Sequence, residues 1–147
     1  MANAWNQALH IDERYPSVHE ELLERCRVAS QLLPTALILK YGSGGYNTLH
    51  QDLYGEVYFP MQTVFLLSDP DSDFSGGEFV LVEQLPRAQS RAIVLRLRKG
   101  DSLVFTTRFR PEKGTKGYYR VQVKHGVSEV VRGTRFTMGI IFHDAVS

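Results

Sequence analysis

From Thr35 almost to the C-terminus, short runs rich in Val, Ile, Leu, Phe and Thr are separated by turn residues. Within many runs apolar and polar positions alternate, the mark of a half-buried strand, because successive side chains on an extended backbone point to opposite faces. The pattern predicts strands near 36–41, 48–53, 61–67, 78–83, 91–97, 101–106, 118–125 and 134–143. Pro60, the Asp69-Pro70-Asp71-Ser72-Asp73 cluster, Gly76-Gly77, Lys99-Gly100-Asp101 and Arg132-Gly133-Thr134 punctuate them. Eight strands call for a sandwich or jelly roll. Ahead of them, Val18, Leu22, Cys26 and Ala29 recur at helical spacing, Ser17 with Glu20 resembles a capping box, and Pro34 ends the segment. One amphipathic helix near 17–31, packed on the sheet, and a β core over 35–144 therefore make a single domain of residues 1–147. No internal repeat, linker or low-complexity tract divides it.

A chain of 147 residues, 43% hydrophobic and 22% charged, is long enough to bury a core and too apolar for default disorder. No apolar run approaches the roughly 18 residues of a membrane span. The N-terminus lacks the basic-then-apolar pattern of a secretory signal, and Cys26 is the only cysteine. Both features predict a cytoplasmic location with no membrane contact. The net charge of +1 hides an asymmetry: residues 1–86 carry 4 Lys/Arg against 12 Asp/Glu, whereas residues 87–124 carry 11 against 2. Clustered cations of that kind can attract a polyanion, although alternating Arg and Lys can equally wet the outer face of strands. The stretch Thr107–Arg120 interleaves cations with aromatics and glycines, which suits phosphate holding and base stacking. A solvated hairpin tip is the plainer reading.

The candidate chemistry begins at His50-Gln51-Asp52. On a strand His50 and Asp52 share a face and Gln51 takes the other. A third ligand from elsewhere would complete the 2-His-1-carboxylate set of non-haem Fe(II) oxygenases, leaving open positions for co-substrate and oxygen. Among the five histidines, His10 and His19 lie in the leader and helix, with His19 expected at the surface. His125 follows Tyr119, Val121 and Val123 on an apolar face and can look into a cavity, whereas His143 beside Asp144 suits a solvent or edge role. Arg135 shares its face with Thr137, Gly139 and Ile141. Burying an unpaired Arg is costly, so it needs either an ordinary Asp or Glu partner or a carboxylate ligand held in bidentate fashion.

His50-Gln51-Asp52, His125, and Arg135 ten residues later, set among eight strands, resemble the double-stranded β-helix Fe(II)/2-oxoglutarate dioxygenases. Prolyl hydroxylases and AlkB-type nucleic-acid dealkylases show related arrangements. Tyr41-Gly42, the run Asp52-Leu53-Tyr54-Gly55-Glu56, Gly76-Gly77-Glu78-Phe79-Val80-Leu81 and Gly139-Ile140-Ile141-Phe142-His143-Asp144 resemble, more particularly, a bacterial oxygenase family described as acting on damaged DNA. The resemblance implies a mainly β, jelly-roll or cupin-like double-stranded β-helix. It implies Fe(II) on His50, Asp52 and His125, with 2-oxoglutarate and O2 as co-substrates. Arg135 and Thr137 would hold the co-substrate's far carboxylate, with Tyr41 or Tyr46 as the donating aromatic. Arg108, Arg110 and Tyr54 are the candidate substrate contacts. The implied activity is hydroxylation of a C–H bond, up to oxidative dealkylation of damaged DNA or RNA bases. A peptidyl, prolyl-type hydroxylase acting on a peptide is the second reading, and a non-catalytic β-sandwich binding module the third.

Overall fold

The computed structural model describes residues 1–147. Eleven strands form around the expected eight: β1 (Ala36–Tyr41), β2 (Asn47–His50), β3 (Met61–Leu66), β4 (Phe74–Gly76), β5 (Phe79–Gln84), β6 (Ser90–Leu95), β7 (Ser102–Thr106), β8 (Phe109–Gly114), β9 (Gly117–Val127), β10 (Val130–Gly133) and β11 (Arg135–Ile141). Each predicted run is found with its ends moved by a few residues. The three additions are β4, β8 and β10, two of them too short for alternation to register.

All pairings between these strands are antiparallel. One sheet runs β1-β11-β3-β7, and the other runs β2-β9-β5-β6 with β8 added to β9. Strands β10 and β4 make a small ribbon of their own. Val64, Phe79, Phe105 and Val127 form the core between the sheets, two residues from each. On β11 the predicted parity holds at its ends: Arg135, Thr137 and Ile141 are buried while Phe136 is exposed. This is a mainly β jelly roll of the double-stranded β-helix kind.

The helical part departs from expectation. A short helix, α1 (Ala2–Ala8), precedes α2 (His19–Val28), so there are two helices where periodicity showed one. Ala2 of α1 packs with Tyr15 and with Leu22 of α2 in a cluster that reaches Val57 and Phe59. The capping box does not form: Val18 is the N-cap and no side chain caps the helix. The helix stops well before Pro34, because Ser30 takes the left-handed conformation at φ 60°. Neither helix is long and apolar enough to cross a membrane.

The stretch 107–120 forms a hairpin, the plainer of the two readings weighed for it. Strands β8 and β9 pair from Phe109↔Gln122 to Gly114↔Gly117, leaving only Thr115 and Lys116 at the turn. His143, expected at an edge or in solvent, is fully buried. Its Nδ1 accepts a hydrogen bond from the Phe59 backbone at 3.1 Å. Phe59 and His19, at the start of α2, both pack edge-on against Phe142 just past the end of β11, a closure that strand alternation cannot foretell.

Candidate metal centre

His50 ends β2 and His125 lies on β9, directly across the ladder from it. The register shifts between Asn47↔Val127 and His50↔His125, which places one extra residue on the β2 side, a β-bulge. Gly126 makes room for it: a Cβ there would stand 2.6 Å from the Asn47 carbonyl oxygen. The bulge turns the two imidazoles onto the same patch of the inner wall, with ring centroids 4.2 Å apart. Asp52 follows just beyond the strand and is 4% exposed. Gln51, of opposite parity, fastens this exit by donating to the carbonyls of Arg108 at 2.7 Å and Val123 at 2.8 Å.

The two histidines approach different oxygens of the same carboxylate. His50 Nε2 lies 3.4 Å from Asp52 Oδ1, and His125 Nε2 lies 3.2 Å from Oδ2. One ligand atom from each of the three residues falls within 4.8 Å of the others, a grouping able to hold a metal ion. His50 Nδ1 is 2.7 Å from the Thr48 carbonyl, which can only accept, so the proton sits on Nδ1 and the Nε2 lone pair faces the cluster. Tyr54 donates to Asp52 Oδ1 at 2.6 Å. Burial opposes ionisation of Asp52, but the adjoining imidazoles of His125 and His50 and the hydrogen bond from Tyr54 outweigh it and hold the carboxyl well below the usual carboxylate range. The same carboxylate raises the His50 pKa against the effect of burial. Burial and Asp52 together push the Tyr54 phenol well above its ordinary value, so it stays a donor.

The cluster faces a cavity of about 140 Å3 between the sheets, which also carries Tyr41, Gln62, Arg135 and Thr137. By the usual measure that admits a molecule the size of a small ring or diacid. Arg135 is 2% exposed. Its Nε and Nη1 are buried with no hydrogen-bond partner, so the ordinary ion pair weighed for it does not exist. Burial pushes its pKa down, with Tyr41 and Glu78 countering in part. Tyr41 sits across the ladder from Arg135, and Leu39 across from Thr137. The guanidinium lies 5.5 Å from the Tyr41 ring centre. Gly77, at φ 62°, lets it pass: a Cβ there would stand 2.9 Å from Arg135 Cδ. A buried, unpartnered guanidinium beside a hydroxyl fits a carboxylate ligand, and the donor set of two imidazoles and a carboxylate fits Fe(II).

The remaining expected contacts separate. Tyr46 is 62% exposed and does not line the cavity, so Tyr41 is the aromatic placed there. Arg110 is no free cation: its Nε donates to Glu83 at 2.6 Å, and its Nη1 pairs with Glu112. Arg108 lies over Phe109 and Tyr58 at about 6 Å from each ring centre. Tyr54 is committed to Asp52. Sequence reasoning passed over Gln62, although its parity with Val64 and Leu66 on an apolar strand was a readable signal. Nothing in the sequence marked Asn47, whose amide reaches the Tyr41 hydroxyl at 3.4 Å.

Two antiparallel sheets closing on a His-Asp-His cluster define a double-stranded β-helix protein with a candidate non-haem metal centre. The chain belongs, over residues 1–145, to the Oxygenase-NA family, described as an oxygenase catalysing oxidative methylation of damaged DNA. It is 48% identical over 145 residues to an uncharacterized protein in each of two Mycobacterium tuberculosis strains. The match covers 99% of this chain and 62% of those curated relatives, so the chain spans somewhat under two thirds of their length. An oxidoreductase of the 2OG-Fe(II) oxygenase family from Burkholderia pseudomallei has the same fold, with a TM-score of 0.51 and 18% identity over 74% of this chain and 42% of that one. A Pseudomonas putida prolyl-4-hydroxylase is similar at a TM-score of 0.48 and 16% identity, over 82% of this chain and 57% of its own.

Proposed function

We propose that the chain is the catalytic unit of an Fe(II)- and 2-oxoglutarate-dependent oxygenase that hydroxylates a C–H bond on a nucleic-acid base, removing an N-alkyl group. The buried guanidinium of Arg135, unpartnered and sharing a cavity with the three metal-ligating side chains, carries this reading. His50, Asp52 and His125 would hold the iron, and Arg135 with Thr137 and Tyr41 the distal carboxylate of 2-oxoglutarate. The bound iron, with 2-oxoglutarate and O2, supplies an oxidant that inserts one oxygen atom into a C–H bond while the diacid leaves as succinate and carbon dioxide.

The protein's share is orientation and exclusion. Tyr54 fixes one oxygen of Asp52, and the Thr48 carbonyl fixes the His50 tautomer. Phe79 and Phe105 pack against the His125 ring and keep water from that side. Hydroxylation of an N-methyl carbon gives an N-hydroxymethyl group that falls apart into formaldehyde and the restored base. In this chemistry a methyl group is oxidised away, not added. Support for nucleic acid comes from the family description and from the basic stretch 87–124, where Arg108 and Arg120 lie over Phe109.

The second reading, a peptidyl hydroxylase, draws on the apolar mouth: Leu37 lines the cavity while being 42% exposed, on an edge strand open to an extended chain. One assay separates the readings. Succinate release is measured with Fe(II), ascorbate and 2-oxoglutarate against methylated oligonucleotides, peptides and free amino acids. Stimulation by a methylated oligonucleotide, with one formaldehyde per succinate, is expected. A peptide that gains one oxygen without formaldehyde would install the second reading. Iron titration addresses the non-catalytic module: equal uptake by wild type and by the His50→Ala, Asp52→Ala double variant would favour it.

A further inference from the structure

Strand β3 lies inside its sheet, between β11 and β7. Its inward parity reads Gln62, Val64, Leu66, all buried. Gln62 is 3% exposed, yet it lines the cavity of the candidate metal centre. Its Nε2 has no hydrogen-bond partner. Apart from Arg135, which is likewise unpartnered, several polar groups of that cavity are engaged: Asn47 with Tyr41, Tyr54 with Asp52, and Thr63 with the Leu103 carbonyl. A carboxamide offers two donors and one acceptor in a single plane, and a fold gains nothing from burying it unsatisfied.

Its position along the cavity separates it from the co-substrate grip. Gln62 stands in register with Ile141 on β11 and with Phe105 on β7. Phe105 in turn meets the His125 ring edge-on, with centroids 4.8 Å apart. Arg135 lies at the other end of β11, six residues from Ile141, a strand distance of roughly 20 Å. A diacid anchored on Arg135 and directed toward the cluster therefore approaches from the end opposite Gln62.

We propose that the Gln62 carboxamide is a specificity-determining group, hydrogen-bonding the polar edge of an N-alkylated base whose alkyl carbon is presented to His50, Asp52 and His125. The inference rests on the reading under Proposed function and adds the residue that recognises the substrate. Amides match the adjacent donor and acceptor of a base edge, and an extruded base is read along that edge. A site built around such a bond discriminates strongly against ligands that cannot make it.

The test is an anaerobic anisotropy titration of the protein loaded with Fe(II) and 2-oxoglutarate. The probes are a short labelled single-stranded DNA carrying one N1-methyladenine and the same strand unmodified. Gln62→Leu and the near-isosteric Gln62→Met are compared with wild type, and thermal melting confirms that each is folded. Both variants are expected to melt no lower than wild type and to bind the methylated probe at least tenfold more weakly, with preference over the unmodified strand abolished. Their dissociation constants for 2-oxoglutarate are expected to stay within twofold of wild type. Unchanged probe affinity in a folded variant would overturn the inference, as would a tenfold loss of 2-oxoglutarate affinity, which would move Gln62 into the co-substrate grip. Wild-type protein that binds 2-oxoglutarate but shows no preference for the methylated probe would also overturn it. Wild type that fails to bind 2-oxoglutarate would defeat the proposed function itself, a distinguishable failure.

Discussion

At the scale of single residues, the cavity concentrates groups that a fold would otherwise avoid burying. Arg135 is the clearest, since a guanidinium without a partner is a desolvated charge that packing alone does not repay. Arg135→Met is accordingly expected to hold or raise the melting temperature while weakening 2-oxoglutarate by at least about tenfold, read by titration calorimetry, because Met cannot grip a carboxylate in bidentate fashion. Loss of stability with unchanged affinity would assign the residue to the scaffold. Tyr54 acts through Asp52: its hydroxyl holds Oδ1 at 2.6 Å. Removing an outer partner of a metal ligand costs about 10-fold to 100-fold in metal affinity. Tyr54→Phe should therefore weaken Fe(II) or a Zn(II) surrogate by that order in a competition titration, with the fold intact. Much of this was open to reading from the residues. His50 and Asp52 share strand parity, His125 stands on an apolar face, and Arg135 keeps company with small residues. The choice of Tyr41 over Tyr46 was not, because both precede the His-x-Asp run and only the turn from Gly42 to Gly45 decides which one turns inward.

At the scale of elements, the decisive unit is the β2–β9 ladder with its bulge. The bulge sets His50 opposite His125, and Gly126 is the space it needs. Gly126→Ala would force the Asn47 carbonyl away from a Cβ 2.6 Å distant. The expected outcome is a lower melting temperature together with weaker metal binding, whereas a loss confined to stability would show that the ligands do not depend on the bulge. A second device sits farther along the same sheet, where Glu83 shares the parity of Leu81, which stands in register with His125. Glu83 of β5 joins Arg91 of β6 and Arg110 of β8 at 2.6 Å each, a brace that ties the β5–β6 hairpin to β8. Arg110 foremost, against the cost of burial and with help from Arg91, holds the Glu83 carboxyl below its usual range. The unfolded chain therefore takes up this proton first as pH falls. The brace's contribution is present above the ordinary carboxylate range of about pH 4.3 and is lost as pH drops through the lower folded value. Glu83→Gln should lower stability near neutrality by about 2 kcal/mol and flatten the acid limb of a melting-temperature profile. A parallel profile would remove Glu83 from that account. Strand existence was legible in the alternation, while β4 and β10 were too short to show a period and β8, rich in charge, was legible only as part of a hairpin tip and not as a strand.

For the molecule as a whole, two tests follow from mass action and from charge. Ligands that bind only the folded state stabilise it, by about 2.7 kcal/mol at a hundred times the dissociation constant. Zn(II) with 2-oxoglutarate should raise the melting temperature of wild type more than either alone, and should not do so for the His50→Ala, Asp52→Ala double variant. The basic stretch 87–124 is less free than its formal charge suggests, since Arg91, Arg96 and Arg110 are paired with Glu83, Asp71 and Glu112. Arg108 and Arg120 carry the prediction instead. Their joint replacement by Ala should weaken oligonucleotide binding and flatten its salt dependence, by about one slope unit for each phosphate no longer neutralised. An unchanged slope would place nucleic acid elsewhere or nowhere on this face.

The sequence by itself determined the class of fold and the chemistry it can host. Side-chain alternation is a local property of extended backbone, and His-x-Asp parity is its direct consequence. The parity of β9 already favoured His125 over His143, but only tertiary structure decided how it met that pair, across a bulged ladder, and that His143 was buried with its Nδ1 on the Phe59 backbone. Tertiary structure also left Arg135 and Gln62 buried without partners in one cavity. Neither outcome has a local cause, because both depend on how two sheets close on each other and on which backbone groups are left to satisfy what they bury.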